Sequence, residues 1–166
     1  MELYILRHGI AVDRGATGCP ADDLRPLTPE GRRKLRLIAK AFKAMDLTFD
    51  LVLSSPLVRA KQTAEIVVQE LGIAKLLQFS DHLSPSGNPR DLISEISKIW
   101  RGREQVLLVG HEPCLSGLVS RLLSGRDDLP INIKKGGFCH LAIEHLSYGG
   151  CAVLNSLLTP AQMIKM

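Results

Sequence analysis

Aromatic residues are scarce in this chain: four phenylalanines, two tyrosines and one tryptophan make up 4% of its 166 residues. The densest basic stretch, residues 32–36, contains none of them. Surfaces that bind single-stranded nucleic acid combine basic side chains with aromatic rings on which bases stack. The stretch therefore has the character of a solvated helix face, and we expect no nucleic acid as a partner. The net charge of +4 is mild and favours anionic ligands of another kind.

Long apolar runs are also missing. No run approaches the roughly 18 consecutive apolar residues that a membrane-spanning helix needs. The N-terminal segment carries an acidic Glu2 where a secretory leader would be basic. We therefore expect no membrane association and a cytoplasmic location.

Cysteines are few, and none of the four forms a Cys-x-x-Cys pair. Reduced thiols are the simplest interpretation for a chain of this length with so little cysteine. A zinc site could be drawn from four residues, namely His111, Cys114, Cys139 and His140. Their spacing matches no recurring zinc framework, so we expect neither a metal nor a cofactor.

The length and the alternation of patterns predict a single α/β domain spanning residues 1–166. Short apolar runs typical of strands occupy residues 3–6, 51–53, 76–79 and 106–109. Helical spacing follows each run, and Thr28-Pro29-Glu30 is a strong helix start. Two further runs flank Tyr148-Gly149-Gly150 and predict a hairpin. The expected fold is a three-layer α/β/α sandwich with a mostly parallel central sheet and an antiparallel edge.

Polar side chains gather where three of these strands end. The first strand ends in Arg7-His8-Gly9. The second leads through residues 54–56 to Arg59 at the start of a helix, and the fourth is followed by His111. Open α/β sheets bind their ligands at the carboxyl ends of the strands. We therefore expect these side chains to share one site.

The residue types at this site suit phosphoryl transfer. A guanidinium can hold phosphate through two parallel hydrogen bonds. A neutral imidazole can attack phosphorus as a nucleophile, and Gly9 could let the backbone approach a ligand closely. Catalysis of phosphoryl transfer is mainly positioning and charge stabilisation, which two arginines and two histidines can supply.

Three segments resemble the motif blocks of the histidine phosphatase superfamily, whose fold is called phosphoglycerate mutase-like. They are Arg7-His8-Gly9, residues 55–63 and residues 109–113. The short length and residues 25–28 and 83–87 are similar to bacterial phosphohistidine phosphatases of the SixA type. The resemblance runs in order from residue 3 to about residue 123, and the three blocks together are highly specific.

The resemblance implies a role for each matching residue. His8 is the expected nucleophile, which becomes phosphorylated during turnover. Arg7, Arg59 and His111 are expected to hold the phosphoryl oxygens. Arg25 is implied as an additional substrate contact, beside the backbone of Gly9.

One departure from the superfamily bears on the substrate. Members that cleave phosphate esters carry an acid after the third strand, but residues 83–90 contain no aspartate or glutamate. Asp81 and Asp91 flank this stretch and could still reach the site. An alkoxide leaves poorly without an acid, whereas the imidazole of a phosphohistidine departs readily once protonated.

The sequence therefore predicts a metal-independent phosphohistidine phosphatase that acts through a phosphorylated histidine of its own. The resemblance implies a phosphorylated histidine on a signalling protein as the substrate, for example on a histidine phosphotransfer domain. Two alternatives stay open. One is a small-molecule phosphomonoesterase of the same superfamily that uses Asp81 or another carboxylate as its acid, and the other is a non-catalytic phosphate-binding module.

Overall fold

The computed structural model describes residues 1–100 and 102–166 of the chain. Its strands are β1 (Glu2–Arg7), β2 (Leu51–Ser54), β3 (Leu77–Phe79), β4 (Gln105–Gly110), β5 (Phe138–Ile143) and β6 (Ala152–Leu158). Its helices are α1 (Pro29–Ala44), α2 (Val58–Leu71), α3 (Pro89–Ile99), α4 (Cys114–Ser124) and the short α5 (Pro160–Met163). Single 3₁₀ turns occupy Asp22–Leu24, Ala74–Leu76 and Asp81–Leu83.

The six strands form one mixed sheet in the order β3-β2-β4-β1-β5-β6. The pairs β1–β4, β2–β4 and β2–β3 are parallel, whereas β5 runs antiparallel to both β1 and β6. Strand β4 lies between β1 and β2, which explains its uninterrupted apolar run, because such a strand is covered on both faces. This topology confirms the predicted mostly parallel sheet with an antiparallel edge.

Side chains alternate along β1 between two cores, one on each face of the sheet. Leu3 and Ile5 pack with α3 and α4, whereas Tyr4 and Leu6 pack with α1, α2 and α5. Buried helix residues on the first face include Leu92, Ile96, Leu115 and Leu118, and those on the second include Leu35, Phe42, Val67 and Met163. The result is the three-layer α/β/α arrangement that the alternation of patterns predicts.

Local signals set the helix ends as expected. The Thr28 hydroxyl accepts a hydrogen bond from the Gly31 N–H at 3.0 Å and caps α1. Helix α2 ends at Gly72, whose φ of 74° is readily adopted by glycine. The hairpin is longer than its sequence pattern indicates, because β6 continues to Leu158. No helix among the described residues is both long and apolar enough to span a bilayer.

Candidate active site

The register of the sheet brings the three predicted blocks together. Arg7 pairs with Gly110 across β1 and β4, and Ser54 pairs with Val109 across β2 and β4. The hydrogen bonds continue one residue further, because the His8 N–H donates to the Gly110 carbonyl at 3.0 Å. The residues that follow the three strands therefore lie side by side.

A cavity of about 430 Å³ opens at this edge of the sheet. Ten of the described residues, from seven separate segments of the chain, line it: Arg7, His8, Asp13, Arg14, Arg25, Arg59, Pro85, His111, Glu112 and Lys135. Five of the ten are arginine or lysine, so the cavity is suited to an anion. The structure thus places five predicted site residues, His8, Arg7, Arg59, His111 and Arg25, around one space.

His8 is held in one tautomer by its own neighbour. Its Nδ1 lies 2.7 Å from the carbonyl oxygen of Gly9. Because a carbonyl can only accept a hydrogen bond, Nδ1 carries the ring proton and Nε2 keeps its lone pair. Burial is the main cause that lowers the pKa of His8 to about 3, with smaller contributions from the charges of Arg59, Arg7 and Lys135. The ring is therefore neutral and nucleophilic at ordinary pH.

His111 stands beside His8, with 4.9 Å between the ring centroids. Its Nε2 lies 3.0 Å from the Ser55 hydroxyl, which can donate to it and leave the ring proton on Nδ1. Burial, followed by the proximity of His8 and Arg59, lowers the pKa of His111 to about 3. Its Nδ1 is buried and has no hydrogen-bond partner among the described residues. An anion in the cavity would supply an acceptor for this nitrogen.

Two guanidiniums are fixed at the cavity by backbone carbonyls. One terminal nitrogen of Arg7 donates to the Ile133 carbonyl at 2.8 Å, and one of Arg59 donates to the Asp22 carbonyl at 2.6 Å. Arg59 is only 2% exposed. In the described part of the chain, the Nε atoms of both arginines are buried without an acceptor. Buried donors of this kind are normally satisfied, which indicates that they serve a ligand.

Asp22 organises the other side of the cavity, although no sequence pattern marks it as a site residue. Its carboxylate accepts hydrogen bonds from Arg14 at 2.8 Å and Arg25 at 2.9 Å, and from Arg59 at 3.2 Å. Partial desolvation of the carboxylate opposes ionisation, but the hydrogen bonds from Arg14 and Arg25 and the charge of Arg59 lower its pKa to about 2. The permanent negative charge holds three arginines in one cluster.

Arg25 and Gly9 differ in how they relate to the cavity. Arg25 is 8% exposed, lines the cavity and also donates to the Val12 carbonyl at 2.6 Å. Gly9 is not among the residues that line the cavity, and the substrate contact expected of it stays a prediction. A Cβ at Gly9 would lie 2.7 Å from Leu35 Cδ1, so the close approach that needs glycine is to helix α1.

The carboxylates near the cavity are not those considered from the sequence. Asp81 and Asp91 are exposed and do not line it. Asp13 and Glu112 do. One carboxylate oxygen of Glu112 accepts from the Ser116 hydroxyl, and the other is buried without a partner in the described structure. Its position directly after His111 could have identified Glu112 as a candidate acid.

The four residues of the zinc alternative do not come together. His140 pairs with Glu2 on the neighbouring strand, away from His111 in the cavity. Among residues 1–100 and 102–166, no three histidine, cysteine, aspartate or glutamate side chains are grouped to hold a metal ion. The chemistry that the site can perform rests on a neutral imidazole nucleophile surrounded by cationic and N–H donors.

Comparison with known proteins agrees with this geometry. Residues 3–83 match the sequence model of the histidine phosphatase superfamily, branch 1. An uncharacterised protein of Picosynechococcus sp. is 36% identical over 144 residues, covering 85% of this chain and 84% of that protein. Phosphohistidine phosphatase SixA of Escherichia coli is 32% identical over 126 residues, covering 75% of this chain and 76% of that protein.

A solved structure of the protein histidine phosphatase SixA, complexed with tungstate, superposes on this chain with a TM-score of 0.82. The two are 27% identical, and the match covers 97% of this chain and 98% of that one. The chain belongs to the histidine phosphatase superfamily and is a phosphatase of that superfamily, with the SixA-like fold.

Proposed function

We propose that this member of the histidine phosphatase superfamily removes phosphate from a phosphorylated histidine on another protein. The observation that carries the proposal is the state of His8. Its Nδ1 proton is donated to the Gly9 carbonyl, so Nε2 carries no proton and its lone pair is available to attack phosphorus. Two guanidiniums and His111 surround the position that a phosphoryl group would take beside it.

The reaction has two displacement steps. In the first, His8 Nε2 forms a bond to phosphorus while the bond from phosphorus to the substrate histidine breaks. A proton on the other nitrogen of the substrate ring lets that ring leave as neutral imidazole. Arg7, Arg59 and the His111 N–H stabilise the charge spread over the phosphoryl oxygens.

In the second step, a water oxygen attacks the phosphorus of phosphorylated His8. The Nε2–P bond breaks, neutral His8 is restored with its proton on Nδ1, and both protons of the water leave with inorganic phosphate. Covalent catalysis of this type divides one difficult displacement into two easier ones. The same donors serve both steps because the phosphoryl group stays in one place.

Two further observations support a phosphohistidine substrate. Asp81 and Asp91 lie away from the cavity, so the stretch that supplies an acid in ester-cleaving relatives supplies none here. SixA of E. coli, a relative that matches 75% of this chain, is a phosphohistidine phosphatase. A signalling protein that carries phosphohistidine, such as a histidine phosphotransfer domain, is the partner we propose, and the cytoplasm is the corresponding location.

Glu112 favours one second candidate, a phosphomonoesterase. Its carboxyl lines the cavity and has a free oxygen, so it could protonate an alkoxide leaving group. In that case an alkyl phosphate would be turned over well, and Glu112→Gln would lose this activity. Asp81→Asn is the matched control, because Asp81 is exposed and does not line the cavity.

The test compares substrates under one set of conditions, without added metal. A phosphorylated histidine phosphotransfer domain, p-nitrophenyl phosphate and a sugar phosphate are incubated in parallel with the wild-type protein and Glu112→Gln. We expect rapid release of phosphate from the phosphoprotein, slower release from the aryl ester and almost none from the sugar phosphate. Fast cleavage of the sugar phosphate that depends on Glu112 would establish the esterase instead.

A further inference from the structure

A second concave surface adjoins the catalytic cavity and shares Arg7 and Lys135 with it. This groove, of about 480 Å³, is formed by four separate parts of the described chain. Its remaining lining residues are Ile10, Lys34, Asn132, Lys134, Thr159, Pro160, Ala161 and Ile164. We refer to it as the lysine groove.

The lysine groove combines an apolar floor with cationic edges. Ile10, Pro160 and Ile164 supply the apolar surface, and Lys134 and Lys135 are exposed beside it. None of the described residues that line the groove is acidic. Lys34 pairs with Glu30 at 2.7 Å on its own helix, whereas Lys134 and Lys135 make no ion pair within the described chain.

One wall of the groove is fixed to the catalytic strand end. The Gly136 N–H donates to the carbonyls of both Arg7 and His8 at 3.0 Å. The Arg7 N–H in turn donates to the Gly137 carbonyl at 3.0 Å. The buried Ile133 carbonyl also accepts from the Arg7 side chain. Residues 133–137 therefore carry their two lysines at a fixed position next to the nucleophile.

The opposite wall is the C-terminal turn α5, for which the sequence suggested no role. Thr159 and Gln162 cap it reciprocally, and its Met163 is completely buried against α1 and the sheet. This anchoring leaves Pro160, Ala161 and Ile164 on the groove side. A four-residue turn with a buried anchor and a complete capping box is a rigid element, and this one shapes the groove.

We propose that the lysine groove is the docking surface for the phosphoprotein substrate, and that it selects acidic and apolar side chains beside the phosphohistidine. This inference rests on the proposed function. A phosphohistidine whose phosphoryl group enters the cavity brings the surrounding protein surface against the adjoining groove. Charge complementarity identifies that surface as acidic, because the groove presents lysines without a carboxylate among its described residues. The apolar floor accommodates an aliphatic side chain between the acidic ones.

The geometry separates two kinds of substrate. A small phosphate compound needs only the cavity, where Arg7, Arg59 and the histidines act on the phosphoryl group. A phosphoprotein uses the cavity and the groove. Substitutions at groove positions outside the cavity should therefore raise the KM for the phosphoprotein and leave the turnover of a small compound unchanged.

The groove variants are chosen from residues that line the groove but not the cavity. Lys34→Glu combined with Lys134→Glu reverses two charges of the groove without altering a residue of the cavity. Lys40→Glu combined with Lys98→Glu makes the same change in net charge at two exposed positions outside both surfaces. Lys134→Gln alone provides a milder variant should the double reversal affect folding, which circular dichroism would show.

The experiment measures steady-state kinetics with a phosphorylated histidine phosphotransfer domain and, separately, with p-nitrophenyl phosphate. We expect the groove variant to raise the KM for the phosphoprotein on the order of tenfold, with kcat and the aryl phosphate kinetics unchanged. Lys134→Gln should have a smaller effect in the same direction. Added salt should raise the wild-type KM for the phosphoprotein towards that of the variant.

Other results would overturn either the docking surface or the proposed function. Equal KM values for the groove and control variants would overturn the docking surface while leaving the phosphatase intact. Equal losses on both substrates would show that the lysines act on the cavity, which also overturns it. A wild-type protein that cleaves the aryl phosphate but not the phosphoprotein would refute the proposed function, and the docking surface with it.

Discussion

At the scale of single residues, the cavity depends on charges that are held in place before any substrate arrives. Arg59 is almost completely buried, and its two terminal nitrogens are both engaged by Asp22. Its Nε remains without an acceptor in the described structure. Because the guanidinium is already fixed, little free energy is needed to reorient it when charge develops on the phosphoryl oxygens.

Removal of Arg59 should therefore affect the transition state strongly. For Arg59→Ala we expect the aryl phosphatase kcat to fall by a factor corresponding to roughly 2–4 kcal/mol, typical of a lost oxyanion donor. Arg7→Ala should have a comparable effect, and the double variant should lose much less than the sum of the two, because both act on one transition state. Turnover of Arg59→Ala close to wild type would show that this guanidinium does not contact the reacting group.

Asp22 provides a test of positioning that leaves the cavity donors present. Asp22→Asn removes the charge that gathers Arg14, Arg25 and Arg59, and we expect kcat for p-nitrophenyl phosphate to fall about tenfold, or about 1.4 kcal/mol. The estimate is modest because the carboxylate is partly exposed and its ion pairs are screened by solvent. Asp23→Asn, in the same 3₁₀ turn but exposed, is the control and should behave as wild type. Equal kcat values for Asp22→Asn and Asp23→Asn would show that the Asp22 charge does not position the catalytic arginines.

The two histidines of the site make stability depend on pH. Their folded-state pKa values lie at about 3, below the unfolded value of about 6.5. In this range the unfolded chain binds protons that the folded chain does not. Stability is therefore full above pH 6.5 and is lost progressively as the pH falls towards 3.

Urea unfolding at a series of pH values measures this loss. In His8→Gln the fall in the free energy of unfolding between pH 7 and pH 4 should be shallower than in the wild type. The same slope in both proteins would contradict the low folded-state pKa of His8. The nucleophile itself should stay neutral well below pH 6.5, the midpoint of an unperturbed histidine.

At the scale of elements, the site depends on how closely helix α1 approaches the segment after β1. Gly31, in the first turn of α1, faces the backbone of Ile10, and a Cβ there would lie 2.2 Å from the Ile10 carbonyl oxygen. Among the described residues, a Cβ at Gly117 in α4 would have only Pro89 Cγ nearby, at 4.0 Å. Both glycines lie in helices, but a side chain at Gly31 would clash with backbone whereas one at Gly117 would have room.

Alanine at these two positions should change stability in opposite directions. Gly31→Ala must displace the backbone and should destabilise the protein by about 1–3 kcal/mol. Gly117→Ala should stabilise it by up to about 1 kcal/mol through helix propensity. Denaturant midpoints measure both, and a stabilised Gly31→Ala would contradict the close packing of α1 against the segment that follows His8.

The elements also show which parts of the site a sequence can predict. The apolar runs and the residues that follow them place Arg7, His8, Arg59 and His111 together, because strand ends in a parallel sheet share one edge. The role of Asp22 could not be predicted in this way. It lies in a polar loop where its pattern is that of any solvated aspartate, and only the folded loop brings it to Arg59.

Glu112 and the C-terminal turn were missed for different reasons. Glu112 stands within a recognised motif, but ester-cleaving relatives carry their acid after the third strand, so the sequence pattern indicates Asp81 instead. Helix α5 has four residues, too few for any periodicity to be visible. Its capping residues Thr159 and Gln162 were the available signal.

At the scale of the whole molecule, the two faces of the sheet carry the hydrophobic cores and one edge of the sheet carries the candidate site. The two cores hold the strands in register, and the register places the three polar blocks at one edge. The cavity and the lysine groove together give this edge an excess of positive charge within a chain whose net charge is only +4. Such a surface favours the approach of an acidic, phosphorylated partner.

The measurement that tests the account most directly is the identification of the residue that becomes phosphorylated during turnover. The wild-type protein is mixed with a ³²P-labelled phosphohistidine protein, quenched in alkali within milliseconds, digested and mapped by mass spectrometry. We predict an acid-labile, base-stable phosphate on His8, absent in His8→Ala, which should also lose turnover while keeping its fold. Phosphate trapped on any other residue, or turnover that persists in His8→Ala, would contradict the central claim.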